Sequence, residues 1–439
     1  MDQRIEKAQN WLDSHEGELY AFLQDLIHID SVNPWFSDYT SVPKECDVQE
    51  YLKNFLEGLG FTTDLWEPNW RELQQYEGKP GYYAGRDFTR RPDLYAEYKG
   101  TGGGKSLLLT GHIDVVSAGS GWTKDPFGGE MEDGKIYGRG SVDMKGGVAA
   151  MLMAAKAVIA SGIRLKGDIR VGTVADEEAG GMGSLAFIHR GYRADGAIMT
   201  EATDMLVSPL CRGILWGRLT IKGRAGHIEI KQGDWRDGGA VDAIELGRIY
   251  LNAIQAKNHE WSGMDVKNHP YIPIPCRINV AQINAGEYPT TYASKCEIVY
   301  NIQYLPWERD ENLLGGNVKR YFEKFVQNIA NTNEWLSENP PEIEWLIDAD
   351  CAETPVEGDF VQTFMKSAKD VGQTLQIEGT HCHTDMGWFC NVGIPTINFG
   401  AGNPKIAHQA DEYVPTKDLL ESAKVMAAMI INWCGTAEE

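Results

Sequence analysis

Residues 107–147 read LLLTGHIDVVSAGSGWTKDPFGGEMEDGKIYGRGSVDMKGG. The stretch opens on an apolar run, 107–110, that stops abruptly at Gly-His-Ile-Asp. It closes on a Gly-rich turn that leads into an apolar, Ala- and Met-rich segment of helical character. A short run of β-forming residues ended by Gly reads as a buried strand. His112 and Asp114 then sit just past its C-terminal end, where open α/β sheets place their chemistry. One position apart, they point to the same side if the chain stays extended. Asp143 stands in the second turn, immediately before the helix. One imidazole and two carboxylates gathered at strand ends suggest a metal site. Taken alone, a His-x-Asp pair is more often a surface pair or a cap.

The placement recurs along the chain. A strand at 168–174 runs into Ala175-Asp-Glu-Glu, one at 196–200 into Glu201, and GIPTINF at 393–399 leads towards His408. Helical segments at 144–161 and 183–190 separate the first of these. Strands alternating with helices imply an α/β fold with a mostly parallel sheet and helices on both faces. The segments 93–98 and 106–110, joined by Gly-Thr-Gly-Gly-Gly, read as neighbouring strands. Upstream, 2–30 has helical periodicity, Ser31-Val-Asn-Pro breaks it, 48–59 is a second helix and 61–66 a strand. Residues 67–93 are polar and aromatic and fit no element. Their aromatics favour an ordered insertion at a subunit contact.

The character changes near residue 207. Residues 215–223 alternate apolar and polar side chains, as an edge strand able to pair with another would. A helix at 238–256, strands at 277–285 and 293–305, a helix at 311–329 and a strand at 342–347 follow. That order, β-α-β-β-α-β, matches a split βαβ pattern. At 439 residues the chain exceeds one hydrophobic core. The reading is a catalytic domain made of 1–206 and 350–439, with 207–349 inserted as an α+β domain. Helices at 360–371 and 419–433 complete the first domain.

Lys and Arg total 41 against 63 Asp and Glu, a net charge of −22. That argues against nucleic acid and anionic membranes as partners and leaves a small-molecule substrate. The first residues carry charges throughout, with no apolar core of a signal peptide. No uninterrupted apolar run approaches the roughly eighteen residues of a membrane span. The eight cysteines form no CxxC pair and read as reduced thiols of a cytoplasmic protein.

Strand ends thus offer His112, Asp114, Glu177, Glu178, Glu201 and His408, with Asp143 in the loop before a helix. Two imidazoles and this many carboxylates exceed one tetrahedral zinc. They suit two metals sharing a bridging carboxylate. Adjacent Glu177 and Glu178 make sense if one binds a cation and the other acts as a base on water. Nitrogen and oxygen donors without thiolate fit zinc, with cobalt or manganese as alternatives. His381-Cys-His383 invites a further metal reading, and Cys382 a nucleophile reading. Nothing in the sequence pairs Cys382 with a base.

The motifs GHIDVV, GRGSVDMKGG, ADEEAGG, TEAT and AHQADEYV, in this order, resemble those of the co-catalytic zinc hydrolases. These include acetylornithine deacetylase, succinyl-diaminopimelate desuccinylase, aminoacylase and carboxypeptidase G. The resemblance implies that Asp143 bridges two metals, one completed by His112 and Glu201, the other by Glu178 and His408. It implies that Glu177 is the general base, that Asp114 holds the His112 ring, and that the Asp143–Met144 peptide is cis. It makes the inserted domain a lid through which a homodimer forms, with His227 donating to the oxyanion. It sets Thr384 and Asp385 beside the substrate rather than among the ligands. At the positions where relatives carry Asn and Arg for a substrate carboxylate, this chain has Thr290 and Gln303, so Arg277 or Arg212 would have to compensate. The implied activity is removal of an acetyl, formyl or succinyl group from an N-acylated amine. A dipeptidase or carboxypeptidase, hydrolytic deamination of an arylamine and an inactive scaffold are the alternatives.

Overall fold

The structure is a computed structural model that describes residues 2–36, 42–380 and 383–438. His381 and Cys382 therefore lie outside the described residues. The chain forms two compact units. One runs up to Cys211 and resumes with Glu353–Thr380 and the residues from Thr384 onward; the other is Arg212–Ala352 with His383.

The main strands, in chain order, are β1 Thr62–Trp66, β2 Asp93–Tyr98, β3 Leu107–His112, β4 Ile169–Val174 and β5 Gly196–Met199 in the first unit. The second unit holds β6 Gly213–Lys222, β7 Ile278–Ala285, β8 Lys295–Tyr304 and β9 Glu342–Ala349, and β10 Thr396–Asn398 returns to the first. The longer helices are α1 Gln3–Ser14, α2 Glu16–His28, α3 Glu45–Gly58, α4 Lys145–Ala160, α5 Met182–His189, α6 Ala243–Ser262, α7 Gly316–Ala330, α8 Asp359–Asp370 and α9 Thr416–Cys434.

The first unit is built on a sheet of order β1-β2-β4-β3-β5-β10. The pairs β4–β3, β3–β5 and β5–β10 are parallel, while β2 is antiparallel to both its neighbours. Every residue of β3 is buried, as a parallel strand covered on both faces requires. A Cβ on Gly111 would meet Met144 and Val148 at the start of α4, whereas one on Gly172, paired with Thr110, would meet Phe187 of α5. Helices therefore cover both faces. α4 is buried on nearly every side, the signature of a helix inside a layered core; α9 and α1 pack on it.

Two expectations change. β2 and β3 are not neighbours, because β4 lies between them. The Gly-rich connection folds onto the chain that leads into β4, with Thr101 N–H donating to Leu165 O at 2.9 Å and Leu107 N–H to Asp168 O at 3.0 Å. Cβ atoms on Gly100 or Gly104 would clash there with Gly167 backbone, each at 2.3 Å. Residues 2–30 form two helices, broken at His15, whose ring stacks on Trp11 at 4.1 Å.

The second unit is an antiparallel sheet of order β7-β8-β6-β9, with α6 and α7 packed against one face through a separate apolar core. β6 is thus central rather than an edge, a correction to its reading as a strand free to pair. Its alternation has another cause. Leu215, Leu219 and Ile221 are buried under the helices, and the residues between them face away. Alternation reports a one-sided sheet, not an unpaired edge; the edges are β7 and β9. Among the described residues no helix is long and apolar enough to cross a membrane.

Candidate metal centre

The C-terminal ends of β3, β4 and β5 and the loop after β10 converge with the turn before α4. His112 ends β3, Glu177 and Glu178 follow β4, Glu201 follows β5, and Asp143 lies two residues ahead of α4. The Asp143–Met144 peptide is cis. Asp143 Oδ1 stands 3.0 Å from His112 Nε2, and its Oδ2 stands 3.2 Å from His408 Nε2. His408 Nε2 is also 3.2 Å from Glu178 Oε2, while Glu201 Oε1 is 3.9 Å and Glu177 Oε2 3.8 Å from His112 Nε2. Two ligand sets result, His112–Asp143–Glu201 and Asp143–Glu178–His408, each with its donor atoms within 4.8 Å of one another. They share Asp143, one carboxylate oxygen turned towards each.

The donors suit divalent cations. Both sets are imidazole and carboxylate, and Glu178 Oε1 is buried with no hydrogen-bond partner among the described residues. Burial, reinforced by Asp143, raises Glu201 to about 8 and Glu178 to about 7. Burial also lifts Glu177 well above the usual carboxylate range. Hydrogen bonds to Asp143 and Glu178 raise His408 to about 10. For Asp143 burial pushes upward, but hydrogen bonds from both imidazoles outweigh it and hold the carboxyl below its usual value. Carboxylates crowded out of water need positive charge nearby, and two cations would supply it.

Residues 108–432 match the family described as peptidase family M20/M25/M40. The chain belongs to that family. It is 28% identical to an N-formyl-4-amino-5-aminomethyl-2-methylpyrimidine deformylase of Halalkalibacterium halodurans, over 98% of this chain and 97% of the relative. It is 24% identical to an acetylornithine deacetylase of Myxococcus xanthus, over 91% and 95%. Its fold is similar to that of a solved dinuclear metal-binding M20 peptidase of Bacillus subtilis, with a TM-score of 0.63, 14% identity, and 95% and 98% of the two chains covered. The protein is a metal-dependent hydrolase of the M20 family.

In this M20 hydrolase the candidate ligands are aimed largely by backbone. His112 Nδ1 lies 2.9 Å from the Asp114 carbonyl oxygen and 3.7 Å from its carboxylate. The carbonyl is thus the better placed to fix the tautomer, leaving Nε2 to face Asp143. The Asp114 carboxylate instead accepts the Glu177 and Glu178 N–H groups at 3.2 and 3.3 Å and Asn33 Nδ2 at 2.7 Å. Glu412 Oε1 accepts N–H from Gly140, Val142 and Asp143 at 3.0, 3.0 and 3.3 Å, and its other oxygen pairs with buried Arg139. Gly147 lets α4 reach Thr200, since a Cβ there would lie 1.9 Å from Thr200 O. Helix and β5 end, which carry Asp143 and Glu201, are thereby locked together.

The segment 67–93 turns inward. Leu73 and Phe88 join the core, and Arg86 and Arg91 reach Asp176 Oδ1 at 3.2 and 2.8 Å. Arg91 also pairs with Glu45 at 2.8 Å. Asp176, at φ 70°, is the residue ahead of Glu177. The sequence reading passed over Asn33, Arg91, Asp176 and Glu412. Two of them stood inside quoted motifs, as the unexplained acids of ADEEAGG and AHQADEYV.

Thr384 and Asp385 are buried, and Asp385 shares a pocket with His112, Glu177 and Glu201. Burial raises the Asp385 carboxyl to about 6. The remaining candidates belong to the second unit. His227 is exposed, in a loop bridged to Thr291, and the Ile228 N–H donates to Thr290 O at 3.0 Å. Gln303 Oε1 accepts from Arg212 at 3.1 Å, its N–H donates to Arg277 O at 3.1 Å, and the Arg277 side chain is exposed. His383 Nδ1–H donates to Asp350 O at 3.0 Å, and burial lowers its pKa to about 4. It belongs to neither ligand set.

Proposed function

We propose that this M20 hydrolase removes a small acyl group, formyl before acetyl or succinyl, from an N-acylated amine. Two divalent ions, zinc in the first instance and cobalt or manganese otherwise, would sit in the two ligand sets. The observation that carries the reading is the shared Asp143 with one oxygen on each imidazole, and Glu177 beside the sets but in neither. When bound, the ions would polarise the amide carbonyl and acidify the attacking water. Glu177 takes the proton from that water and returns it to the leaving nitrogen. Asp114 keeps Glu177 in reach by holding its backbone N–H.

The formyl preference draws support from the deformylase likeness, which spans essentially the whole of both chains. Gln303 and Thr290 add to it. A neutral Gln provides no charge-assisted fork for a carboxylate, and its amide oxygen is engaged by Arg212. A substrate without an α-carboxylate fits better than an N-acyl amino acid. His227 is assigned the oxyanion donor's role, and the second unit the roles of lid and homodimer contact through its β7 or β9 edge or its helices. The free cysteines among the described residues support a cytoplasmic setting.

The test is a comparison of N-formyl, N-acetyl and N-succinyl derivatives of one aminomethylpyrimidine, with dipeptides alongside, using protein loaded with zinc, cobalt or manganese. Metal-dependent turnover favouring the formyl compound is expected. Turnover confined to dipeptides would replace this reading with the peptidase one, and no hydrolysis of any substrate would favour a scaffold.

A further inference from the structure

Asp385 has no part in the hydrolytic scheme above, yet it is built into the same pocket. The residue is 3% exposed, and its Oδ2 is buried with no hydrogen-bond partner among the described residues. Its other oxygen is wedged against Gly181, where a Cβ would lie 2.4 Å from Oδ1 and 3.1 Å from Trp388 Nε1. Gly181 sits at φ 79°, so both the space and the backbone there require glycine. The carboxylate is thus held at the foot of α5, the helix that follows the Glu177–Glu178 turn.

The pocket it lines includes Thr110, His112, Met144, Glu177, Ser184, Met199 and Glu201. With ions bound, Glu177 as the base and Glu201 as a ligand would be acceptors. The His112 nitrogens already face Asp114 O and Asp143. Thr110, the methionines and the Ser184 hydroxyl complete the lining, Ser184 bonds the Asp385 carboxylate, and Oδ2 still has no hydrogen-bond partner among the described residues. A buried carboxylate oxygen in that condition is costly unless something donates to it, and Asp385 lies in neither ligand set. The donor that fits is a substrate N–H.

We propose that Asp385 is a specificity-determining residue. Its carboxylate accepts an N–H from the amine half of the substrate and selects N-acyl amines with a second hydrogen-bond donor near the scissile amide. An exocyclic amino group or a protonated ring nitrogen of a heterocycle is such a donor. The amine half is the relevant one because Glu177, which hands the proton to the leaving nitrogen, lines the same pocket. An anionic group at that place would meet Asp385 and be repelled. The inference rests on the N-acyl amine reading.

The experiment pairs two substrates, N-formyl-4-amino-5-aminomethyl-2-methylpyrimidine and its analogue lacking the 4-amino group. It measures kcat/KM for both, and calorimetric binding of the two free amines, with wild type, Asp385→Leu and Asp385→Asn. Leucine removes the acceptor at similar size, while asparagine keeps a neutral one and serves if the leucine variant does not fold. Asp385→Leu should lose about 10–100-fold on the donor-bearing compound, the worth of a hydrogen bond to a charged group. It should change less than about 3-fold on the analogue, and Asp385→Asn should fall between. Metal content should stay as in wild type. Equal losses on both compounds, or no loss, would overturn the proposal. If wild type cleaves only another acyl group, the formyl reading fails and the same pair is run with that group. If it cleaves none, the amine-binding difference between variants decides.

Discussion

Replacing Arg91 by methionine removes the cation on which two buried carboxylates converge. The guanidinium is 2% exposed and lies 2.8 Å from Glu45, 2.8 Å from Asp176 and 3.2 Å from the Asp87 carbonyl oxygen. Breaking a buried pair from one side costs about 3–5 kcal/mol. Two features favour the lower end. Asp176 keeps Arg86 at 3.2 Å, and burial raises Glu45 to about 8 even beside Arg91, so the protonated form of Glu45 is accessible and no bare charge need be stranded once Arg91 is gone. About 3 kcal/mol, at roughly 2 °C per kcal/mol for a unit of this size, lowers the melting temperature by roughly 6 °C. The turn carrying Glu177 and Glu178 loses an anchor, so kcat should fall about 10-fold or more through misplacement of the base, with KM changing less. Thermal unfolding, steady-state kinetics and metal content on the same preparation give the three readouts. Adding Glu45→Gln to Arg91→Met removes the stranded acid and should recover part of the stability but not the rate. An Arg91→Met protein with wild-type melting and wild-type kcat would refute the reasoning. One that melts lower yet turns over normally would make Arg91 structural alone.

Glu177→Gln should retain both metals and lose most turnover; a comparable loss of metal would make Glu177 a ligand and reverse the pair. Asp143→Ala should strip metal from both sets, and two tightly bound ions in that variant would remove its bridging role. Chelated protein should lose stability as pH rises from about 5 to 8, because Glu178 and Glu201, raised to about 7 and 8, keep protons in the fold that the unfolded chain has released. His408, raised to about 10, acts in the same direction above its ordinary range, while Lys145, lowered to about 7 by burial, opposes it; a metal-loaded sample with the same slope as the chelated one would contradict this. His227→Ala should cut kcat by about 10²–10³, the usual worth of an oxyanion donor, with metal content intact. If His227 acts across a dimer, subunit exchange with Glu177→Gln should restore activity, and no recovery after verified exchange would confine it to its own chain or dismiss it.

The strand ends were legible because parallel strands covered on both faces leave short apolar runs, and Leu107–His112 is one. Glycine or acid at the end of each run located His112, Glu177, Glu178 and Glu201. Neighbours within a sheet were not legible to the same degree. Nothing local to 93–98 or 106–110 says that β4 separates them; the separation comes from Gly100 and Gly104 approaching residues 166 and 167. β6 misled for a related reason, since period two reports which face is covered and is silent about how many partners a strand has. The supports of the site were hidden by distance. Arg91 and Asp176 are 85 residues apart, and Arg90, one position away, pairs instead with surface Asp47. Charge offered a clue, because three successive acids behind an apolar strand require cations, and 67–93 held basic residues with no other task.

The supporting carboxylates explain how an acidic cluster of this kind keeps its shape. Asp114 and Glu412 bind mainly backbone N–H groups of the ligand-bearing turns. Each therefore fixes the main chain of a turn without spending a donor on Glu178 Oε1, which stays unpartnered among the described residues. That separation is needed electrostatically. A donor spent on Glu178 Oε1 would satisfy the carboxylate and weaken its demand for a cation. Charge neutrality is instead supplied one layer further out, where Arg139 pairs with Glu412, and Arg86 and Arg91 with Asp176. The inner carboxylates stay under-compensated and the outer ones are paired. The field left over at the centre is that of the inner carboxylates, and it is what two divalent ions would meet.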